Sequence, residues 1–317
     1  MKLLLTTRAG DPYFDLLDDL PADVQKVWAL APDDVLREIA DADVVYGWPT
    51  LEQFQAAKQL KWIQIPSAGV EMVCSVPEIV ESDVIITNAR GAHARVIAEH
   101  TFAMLLAFTR GLHRFEQDKA ARRWSREQAI PDVLEIAGWT IGIVGYGQIG
   151  QQVARRAIGF EMDVLAVDVN EMPDAPHGVT VWGLDRLPEL FEQSDVVVIA
   201  APYTPETHHI ITADLLNRMK PTAYFLVESR GGIVDERALI DVLKKGKIAA
   251  AGLDVYEQEP LGADSELWDV PNLIMTPHLA GASTQKDRRC VEILRENVGR
   301  FQRGETLVNL VDKRRGF

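Results

Sequence analysis

The sequence has few cysteines, no long apolar run and fewer basic than acidic residues. Its two cysteines, Cys74 and Cys290, are far apart, which argues against a disulfide framework and a cysteine metal motif and fits a reducing cytoplasm. No run of about 18 apolar residues is present, so no transmembrane helix is predicted. The formal net charge is −14, whereas a nucleic-acid binder shows a basic face. We therefore expect a cytoplasmic protein without a membrane partner, a nucleic-acid partner or a bound metal.

Short apolar runs alternate with helical patterns along the 317 residues, a length typical of about two domains. This alternation predicts parallel sheets covered by helices on both faces. A long helical pattern runs from about His93 to about Arg114 and separates two such series. In the first series, strands are predicted at Lys2–Leu5, Val44–Tyr46, Trp62–Ile65 and Val84–Ile86, and helices at Asp34–Ala42 and Leu51–Leu60. In the second, six strands are predicted at Thr140–Val144, Asp163–Val167, Val196–Ala200, Ala223–Val227, Ala249–Leu253 and Leu273–Thr276.

The second series opens with a glycine pattern typical of dinucleotide-binding folds. Its first strand runs into Gly145-Tyr-Gly-Gln-Ile-Gly150, and a helical pattern follows. In this pattern the first glycine allows a tight turn, the second lets the backbone approach a pyrophosphate, and the third lets helix and strand pack closely. The helix start then offers free N–H groups to the phosphates. The predicted cofactor-binding residues of this loop are Gly145, Gly147, Gln148, Ile149 and Gly150.

An acidic residue follows the next predicted strand at the spacing expected of a ribose ligand. Asp168 stands 18 residues after Gly150 (168 − 150 = 18), close to the usual distance of about 20. A carboxylate there would accept hydrogen bonds from a ribose and would repel a 2′-phosphate. No Arg or Lys follows directly. The sequence therefore predicts NAD rather than NADP as the cofactor.

Polar side chains follow the later strands of this series. Ligands of such sheets bind beyond the carboxyl ends of the strands, so these side chains are expected to share one crevice. A guanidinium can bind a carboxylate with two hydrogen bonds, and an imidazole can supply a proton near neutral pH. A carboxylate beside the imidazole would favour its charged form. The residues in question are Pro202, Thr207, Arg230, Asp254, Glu259 and His278.

With these residues in place, the chain resembles the D-isomer-specific 2-hydroxyacid dehydrogenases. The resemblance covers about residues 40–312 and is strongest over 138–281. The ordered set of Arg, Glu and His segments is much more specific than the glycine pattern. The matching stretches are Gly138–Gly150, Thr204–Thr207, Ser229–Glu236, Gly252–Tyr256 with Glu259-Pro260, and Thr276–His278.

The resemblance implies a hydride transfer between NAD(H) and C2 of a small D-2-hydroxy or 2-oxo acid such as glyoxylate or hydroxypyruvate. It implies catalytic roles for Arg230, Glu259 and His278, with Arg230 and His278 also touching the substrate. Asp254 would hold the nicotinamide carboxamide, with Pro202 and Thr207 also at the cofactor. Backbone N–H groups of Ala68, Gly69 and Val70 would bind the substrate carboxylate.

The resemblance also implies a fold with two doubly wound parallel-sheet domains. A Rossmann NAD-binding domain, residues 93–287, would be inserted into a flavodoxin-like substrate-binding domain formed by residues 1–92 and 288–317. Family members usually pair through the nucleotide domain, so a homodimer is expected, with the segment 93–135 as the pairing arm.

Some features separate this chain from parts of the family. Val227 stands where the family often has Asn, and Glu228 replaces a small residue near the expected cofactor, so altered hydrogen bonding is expected there. Glu259 argues against the formate dehydrogenase branch, which has Gln. The stretch Pro66–Glu71 holds no Arg or Lys, which argues against the phosphoglycerate branch.

Two other functions remain open at this point. One is an NAD-sensing binding module similar to the corepressor branch of the family, which would bind a protein without turnover. The other is an unrelated Rossmann enzyme such as an amino-acid dehydrogenase. The sequence does not identify the physiological substrate, the preferred direction or the extent of NADP use.

Overall fold

The computed structural model describes residues 1–316 except 171, 173 and 174. The chain forms two compact units, the first made of Met1–His93 and Ala282–Phe317 and the second of Ala94–Gly281. Each is built on a parallel sheet, which confirms the predicted fold class of two parallel-sheet α/β domains. The predicted domain limits stay a prediction; the second compact unit ends before a long helix begins at Thr284.

The sheet of the first unit has the strand order β2-β1-β3-β4-β5. This is the order of flavodoxin-like doubly wound sheets. Its strands are β1 (Lys2–Leu5), β2 (Gln25–Trp28), β3 (Val44–Tyr46), β4 (Trp62–Gln64) and β5 (Ile85–Thr87). Its helices are α1 (Pro32–Glu38), α2 (Leu51–Ala56), α3 (Glu71–Cys74), α4 (Pro77–Val80) and, from the end of the chain, α12 (Thr284–Arg303).

Helix α12 belongs to the first unit because its apolar face completes that unit's core. Val291, Leu294 and Val298 are fully buried against strand residues such as Leu3 and Trp62. These three residues recur at three- and four-residue spacing, so they lie on one face of a helix. The two ends of the chain thus form a single core.

Among the described residues, the sheet of the second unit has the strand order β12-β11-β10-β9-β6-β7-β8. Its strands are β6 (Thr140–Val144), β7 (Asp163–Val167), β8 (Val179–Trp182), β9 (Val196–Ile199), β10 (Tyr224–Val227), β11 (Ala250–Leu253) and β12 (Leu273–Met275). Its helices are α5 (Ala94–Thr109), α6 (Leu112–Ala120), α7 (Arg126–Ala129), α8 (Gln148–Gly159), α9 (Leu187–Gln193), α10 (Ala213–Arg218) and α11 (Glu236–Lys244).

This order is the Rossmann arrangement with one further strand, β12, at the edge. The chain reverses direction across the sheet between β6 and β9, which are hydrogen-bonded neighbours. Helices α5 and α8 pack on one face of the sheet, where Phe102, Leu105 and Val153 are buried. The other face buries apolar residues of α9, α10 and α11. The carboxyl ends of the strands therefore meet at one edge, next to the reversal point.

Some details of the predicted elements differ from the structure. The edge strands β2 and β8 were not predicted. The helix expected to reach about Arg114 ends at Thr109, and α6 begins after Gly111. Gly111 has a φ of 66°, a left-handed conformation that interrupts the helix and suits glycine. The first predicted helix is confirmed apart from its start, since α1 begins at Pro32 and continues after Glu38 as a 3-10 helix over Ile39–Asp41. The second helix is shorter than predicted, because α2 ends at Ala56.

Within the described part of the chain, every helix is too short or too polar to cross a bilayer. The described residues also hold no group of three or more His, Cys, Asp or Glu side chains arranged to bind a metal ion.

Candidate active site

The glycine loop of the second unit is packed as its sequence predicts. Gly145 follows β6 with a φ of 96°, and a Cβ there would lie 2.6 Å from the backbone nitrogen of Ala201. A Cβ at Gly150 would lie 2.2 Å from the carbonyl oxygen of Gly145. At Gly147 a Cβ would meet no described atom within 4 Å. The first and third glycines are therefore required by close packing, and the second leaves open space for a ligand.

Asp168 lies beside this loop, directly after β7. Its Oδ2 accepts a hydrogen bond from the backbone nitrogen of Tyr146 at 2.8 Å, and its Oδ1 accepts one from Asn170 at 3.1 Å. These contacts fix the carboxylate next to the start of α8 at Gln148, where pyrophosphates bind. The loop and Asp168 together fit NAD.

The loop after β9 carries Pro202 and Thr207. The hydroxyl of Thr207 donates to the carbonyl oxygen of Pro202 at 2.8 Å, and it accepts from the backbone nitrogen of Thr204 at 2.7 Å. Thr207 thus closes a compact turn, which holds the loop against the edge of the sheet. Its predicted contact with the cofactor remains a prediction.

His278 and Glu259 form a hydrogen-bonded pair. Nδ1 of His278 lies 2.6 Å from Oε2 of Glu259, and the other carboxylate oxygen accepts from the backbone nitrogen of Tyr256 at 3.0 Å. Because the carboxylate holds Nδ1, the opposite ring nitrogen, Nε2, is the one available to a substrate. The two side chains are 46% and 34% exposed, so the pair is accessible from solvent.

The backbone of His278 adopts an unusual conformation. Its φ is 51°, a left-handed value that costs energy in a residue other than glycine. Its backbone nitrogen donates to the carbonyl oxygens of Asp254 and Thr276, at 2.8 and 3.1 Å. These bonds hold the imidazole at the end of β12 against the strain.

Asp254 is buried at the end of β11, with 1% of its surface exposed. Its Oδ1 accepts from the hydroxyl of Thr276 at 2.6 Å and from the backbone nitrogen of Leu279 at 2.9 Å, and its Oδ2 accepts from that of Ala280 at 2.8 Å. His100 of α5 approaches the same hydroxyl at 3.0 Å. Thr276 and His100 were not among the predicted site residues. Thr276 directly follows β12, and this position after a strand is the signal by which the other site residues were found.

Arg230 stands in the loop after β10, where its guanidinium donates to the carbonyl oxygen of Ser229 at 2.8 Å. The next residue, Gly231, ties this loop to the one that carries Glu259, since a Cβ at Gly231 would lie 1.7 Å from the carbonyl oxygen of Tyr256. The segments that carry Arg230, Glu259 and His278 are thus connected by direct contacts within one unit.

We expect Gly231→Ala to lower kcat/KM by about tenfold or more, because the new methyl group must displace the Arg230 loop from the Tyr256 backbone. Forced packing of this kind also costs about 1–3 kcal/mol of unfolding free energy. Steady-state kinetics and urea unfolding measure both effects. Gly159→Ala is the matched control, since a Cβ there meets nothing within 4 Å. Wild-type kinetics for Gly231→Ala would contradict the assigned contact.

The His278–Glu259 pair also lines an open pocket of about 660 Å³ in the second unit. The pocket has room for a small organic acid next to the imidazole. The other lining residues are mostly apolar: Tyr256, Pro260, Leu261, Trp268, Met275, Thr276 and Pro277.

The predicted substrate loop lies in the first unit, between β4 and α3. Asn88 donates to the carbonyl oxygen of Ala68, and Ser67 donates to that of Gly69, both at 2.7 Å. Within the described residues, the backbone N–H groups of Ala68, Gly69 and Val70 donate no hydrogen bond. The loop is therefore held by its carbonyl groups and leaves its N–H groups available to an anion.

Comparison with known proteins gives a consistent result. Residues 102–280 match the model of the D-isomer specific 2-hydroxyacid dehydrogenase NAD binding domain. A glyoxylate reductase of Thermofilum pendens is 33% identical over 98% of this chain and 94% of its own length.

Two solved structures share the fold. A D-isomer specific 2-hydroxyacid dehydrogenase family protein of Aeromonas salmonicida superposes with a TM-score of 0.88 at 32% identity, covering 98% of this chain and 99% of that one. A D-isomer specific 2-hydroxyacid dehydrogenase of Xanthobacter autotrophicus, in complex with NADPH and MES, has a TM-score of 0.85 at 28% identity, covering 100% and 99% of the two chains.

Proposed function

Because the chain belongs to the D-isomer specific 2-hydroxyacid dehydrogenase family, we propose that it reduces a small 2-oxo acid at C2, with Arg230 and His278 as its catalytic residues and Glu259 as the residue that positions His278. The family, the parallel-sheet fold, the NAD cofactor and the oxidoreductase activity predicted from the sequence are confirmed. The identity of the acid and the roles of single residues are proposals. The observation that supports the residue roles is the 2.6 Å contact between His278 and Glu259 at the carboxyl edge of the Rossmann sheet.

NAD(H), when bound, supplies or accepts the hydride. Residues of this chain would hold it: the glycine loop at the pyrophosphate, Asp168 at the ribose and Asp254 at the nicotinamide carboxamide, with Pro202 and Thr207 along its path. The loop has the open space at Gly147 and the short strand-to-helix turn that such binding needs. The buried Asp254 is an acceptor at the strand end where the nicotinamide of Rossmann enzymes lies.

His278 would donate the proton that the substrate oxygen gains during reduction. Glu259 holds Nδ1, so the proton leaves from Nε2, and the nearby carboxylate stabilises the charged imidazolium before transfer. In the reverse direction Nε2 takes the proton of the 2-hydroxyl group. Glu259 acts as a positioning residue because it touches the imidazole rather than the substrate.

Arg230 and the loop Ala68–Val70 would bind the substrate carboxylate. A guanidinium matches a carboxylate with two parallel hydrogen bonds, and backbone N–H groups that have no partner in the fold can donate to an anion. A cation at this place also stabilises negative charge on the carbonyl oxygen as it is reduced. Together these groups would select 2-oxo acids over simple ketones.

The direct test is a panel of 2-oxo acids with NADH and NADPH as alternative reductants. Glyoxylate and hydroxypyruvate are the expected substrates, since a relative spanning most of the chain is a glyoxylate reductase. Pyruvate and bulkier acids should react more slowly. Intact NADH binding with negligible turnover on every acid would instead favour an NAD-sensing binding module. Ammonia-dependent oxidation of NADH would favour an amino-acid dehydrogenase.

We expect Asp168→Ala to raise the Kd of NADH by about tenfold, the effect of losing a charged hydrogen-bond acceptor at the ribose. The Kd of NADPH should fall or stay unchanged, because the repelling charge is removed. Fluorescence titration of the two reduced cofactors measures this. Asp163→Ala, at the exposed start of the same strand, should leave both constants unchanged. A uniform loss for both cofactors would contradict the ribose role.

We also propose a cytoplasmic homodimer that pairs through the segment 93–135. Three large apolar side chains of this segment are solvent-exposed in the isolated chain: Leu112 (53%), Trp124 (89%) and Ile130 (54%). Large apolar side chains left exposed along one segment favour a protein interface. Light scattering should give about twice 35.3 kDa, and a monomeric mass would contradict the dimer.

The two free cysteines fit the reducing compartment proposed for this protein, the cytoplasm, and cell fractionation tests this location.

A further inference from the structure

A second carboxyl group lies beside Asp254. Strands β10 and β11 pair in register, Val227 opposite Leu253, so the next residues, Glu228 and Asp254, are neighbours at the end of the two strands. The backbone nitrogen of Asp254 donates to the carbonyl oxygen of Val227, which continues this register. Side chains in equivalent positions of paired strands point to the same face of a sheet. The two carboxyl groups therefore share one side of the sheet, under helix α5.

Glu228 is buried and only partly hydrogen-bonded. Its exposed fraction is 4%. Its Oε2 lies 2.5 Å from the hydroxyl of Thr101 on α5, whereas its Oε1 has no hydrogen-bond partner among the described residues. The neighbouring hydroxyl of Ser229 is likewise buried without a partner there. Unpaired buried polar atoms of this kind point to a missing ligand or to a functional group.

The contacts of Thr101 indicate that Glu228 carries a proton. The hydroxyl of Thr101 lies 3.0 Å from the carbonyl oxygen of Ile97 and 2.5 Å from Oε2 of Glu228. A hydroxyl has one proton and can donate to only one of these two oxygens. Both contacts are hydrogen bonds only if the carboxyl group supplies the second proton. Burial raises the pKa of Glu228 to about 8, and the charge of Asp254 acts in the same direction.

We propose that Glu228 sets the preference of the enzyme between the oxidised and the reduced cofactor: neutral beside Asp254 it favours NADH, and ionised it favours NAD⁺. This inference rests on the proposed function, in which Asp254 holds the nicotinamide carboxamide. The ring of NAD⁺ carries a positive charge that the ring of NADH lacks. A second buried negative charge at this edge would therefore stabilise NAD⁺ selectively.

Titratable groups from two neighbouring elements adjoin Glu228. Asp254 at the end of β11 adds a negative charge, and its oxygens are already occupied by Thr276, Leu279 and Ala280. His100 of α5 lies 4.0 Å from Asp254. Burial lowers the pKa of His100, although the charge of Asp254 opposes this shift, so His100 is neutral in the alkaline range where Glu228 ionises.

The test compares the Kd of NAD⁺ and of NADH by calorimetry, from about two pH units below to about two above the pKa of Glu228. For the wild type, the ratio of the Kd of NAD⁺ to that of NADH should fall about tenfold as the pH rises, because one added buried negative charge favours the charged ring. Glu228→Gln, which resembles the neutral acid in size, should remove this fall. Glu228→Met is a second uncharged variant with the same expectation.

The outcomes separate this inference from the proposed function. Failure of the wild type to bind NADH would contradict the proposed function itself. Binding of NADH with a pH-independent ratio, or an equal fall of the ratio in the wild type and in Glu228→Gln, would overturn the role of Glu228.

Thermal unfolding tests the protonation state of Glu228 in the absence of cofactor. In the unfolded chain Glu228 ionises near the ordinary glutamate pKa of 4.5, and in the fold it does so at about 8. Its folded pKa is raised, so the unfolded state loses its proton first, and Glu228 destabilises the fold increasingly as the pH rises between these values. The Tm of Glu228→Gln should therefore exceed that of the wild type by an amount that grows over this range. A constant difference would show that Glu228 is already ionised in the fold.

Discussion

Replacing His278 with alanine is expected to lower kcat for 2-oxo acid reduction by about 10³-fold while leaving the Kd of NADH nearly unchanged. Positioned general acids contribute about 10²–10⁴-fold to rates. The structure gives the imidazole one defined orientation, because Glu259 holds Nδ1 at 2.6 Å and the backbone of His278 is bonded to Asp254 and Thr276. The glycine loop and Asp168 do not contact this side chain, so cofactor binding should survive.

Stopped-flow hydride transfer and NADH fluorescence titration measure the two effects separately. His177→Ala is the matched control because this histidine is exposed in a turn. A kcat near the wild-type value would contradict the role of His278 as proton donor, and with it the role of Glu259 in positioning His278.

Arg230→Gln is expected to lower kcat/KM for 2-oxo acids by about 10²–10³-fold. The loss combines a bidentate, charge-assisted contact to the carboxylate with a charge that stabilises the developing oxyanion. KM should rise and kcat should fall, whereas loss of the His278 side chain should mainly lower kcat. Arg230→Lys should recover only part of the rate, since an ammonium keeps the charge but cannot form the two parallel hydrogen bonds.

Steady-state kinetics with glyoxylate and with a carbonyl compound of similar size that lacks the carboxylate test this role. The variant should lose rate with the acid and little with the other compound. Arg237→Gln is the control, because Arg237 is 78% exposed and lies 3.5 Å from Glu266 on the surface. An equal loss for both compounds would mean that Arg230 supports the loop rather than the substrate.

Most of the strands that the sequence predicted correctly lie inside a sheet, and the edge strands β5 and β12 were predicted as well. Strands such as β9 and β10 are fully buried, and a strand covered by helices on both sides must be apolar throughout. The two strands that were missed, β2 and β8, lie at the edges of their sheets. The burial of β2 is low, with Gln25 and Trp28 exposed, so its sequence needs no apolar run. An edge strand without an apolar run, such as β2, is therefore not visible in its own residues.

The sequence by itself determined the family, the fold class and the NAD cofactor of this protein. The signals were a glycine loop before a helix, an acid at ribose spacing, and an arginine, a glutamate and a histidine after parallel strands. Parallel strands bring their ends to one edge, so the type of these residues and their position after a strand are sufficient to predict that they lie near one another. Only the tertiary structure decided the protonation state of a neighbouring carboxyl group, that of Glu228. Thr101 and Glu228 are 127 residues apart, yet their contact and the burial around them determine whether this carboxyl group keeps its proton. Burial and hydrogen bonding are properties of the folded surroundings, to which distant residues contribute, and a linear pattern does not record them.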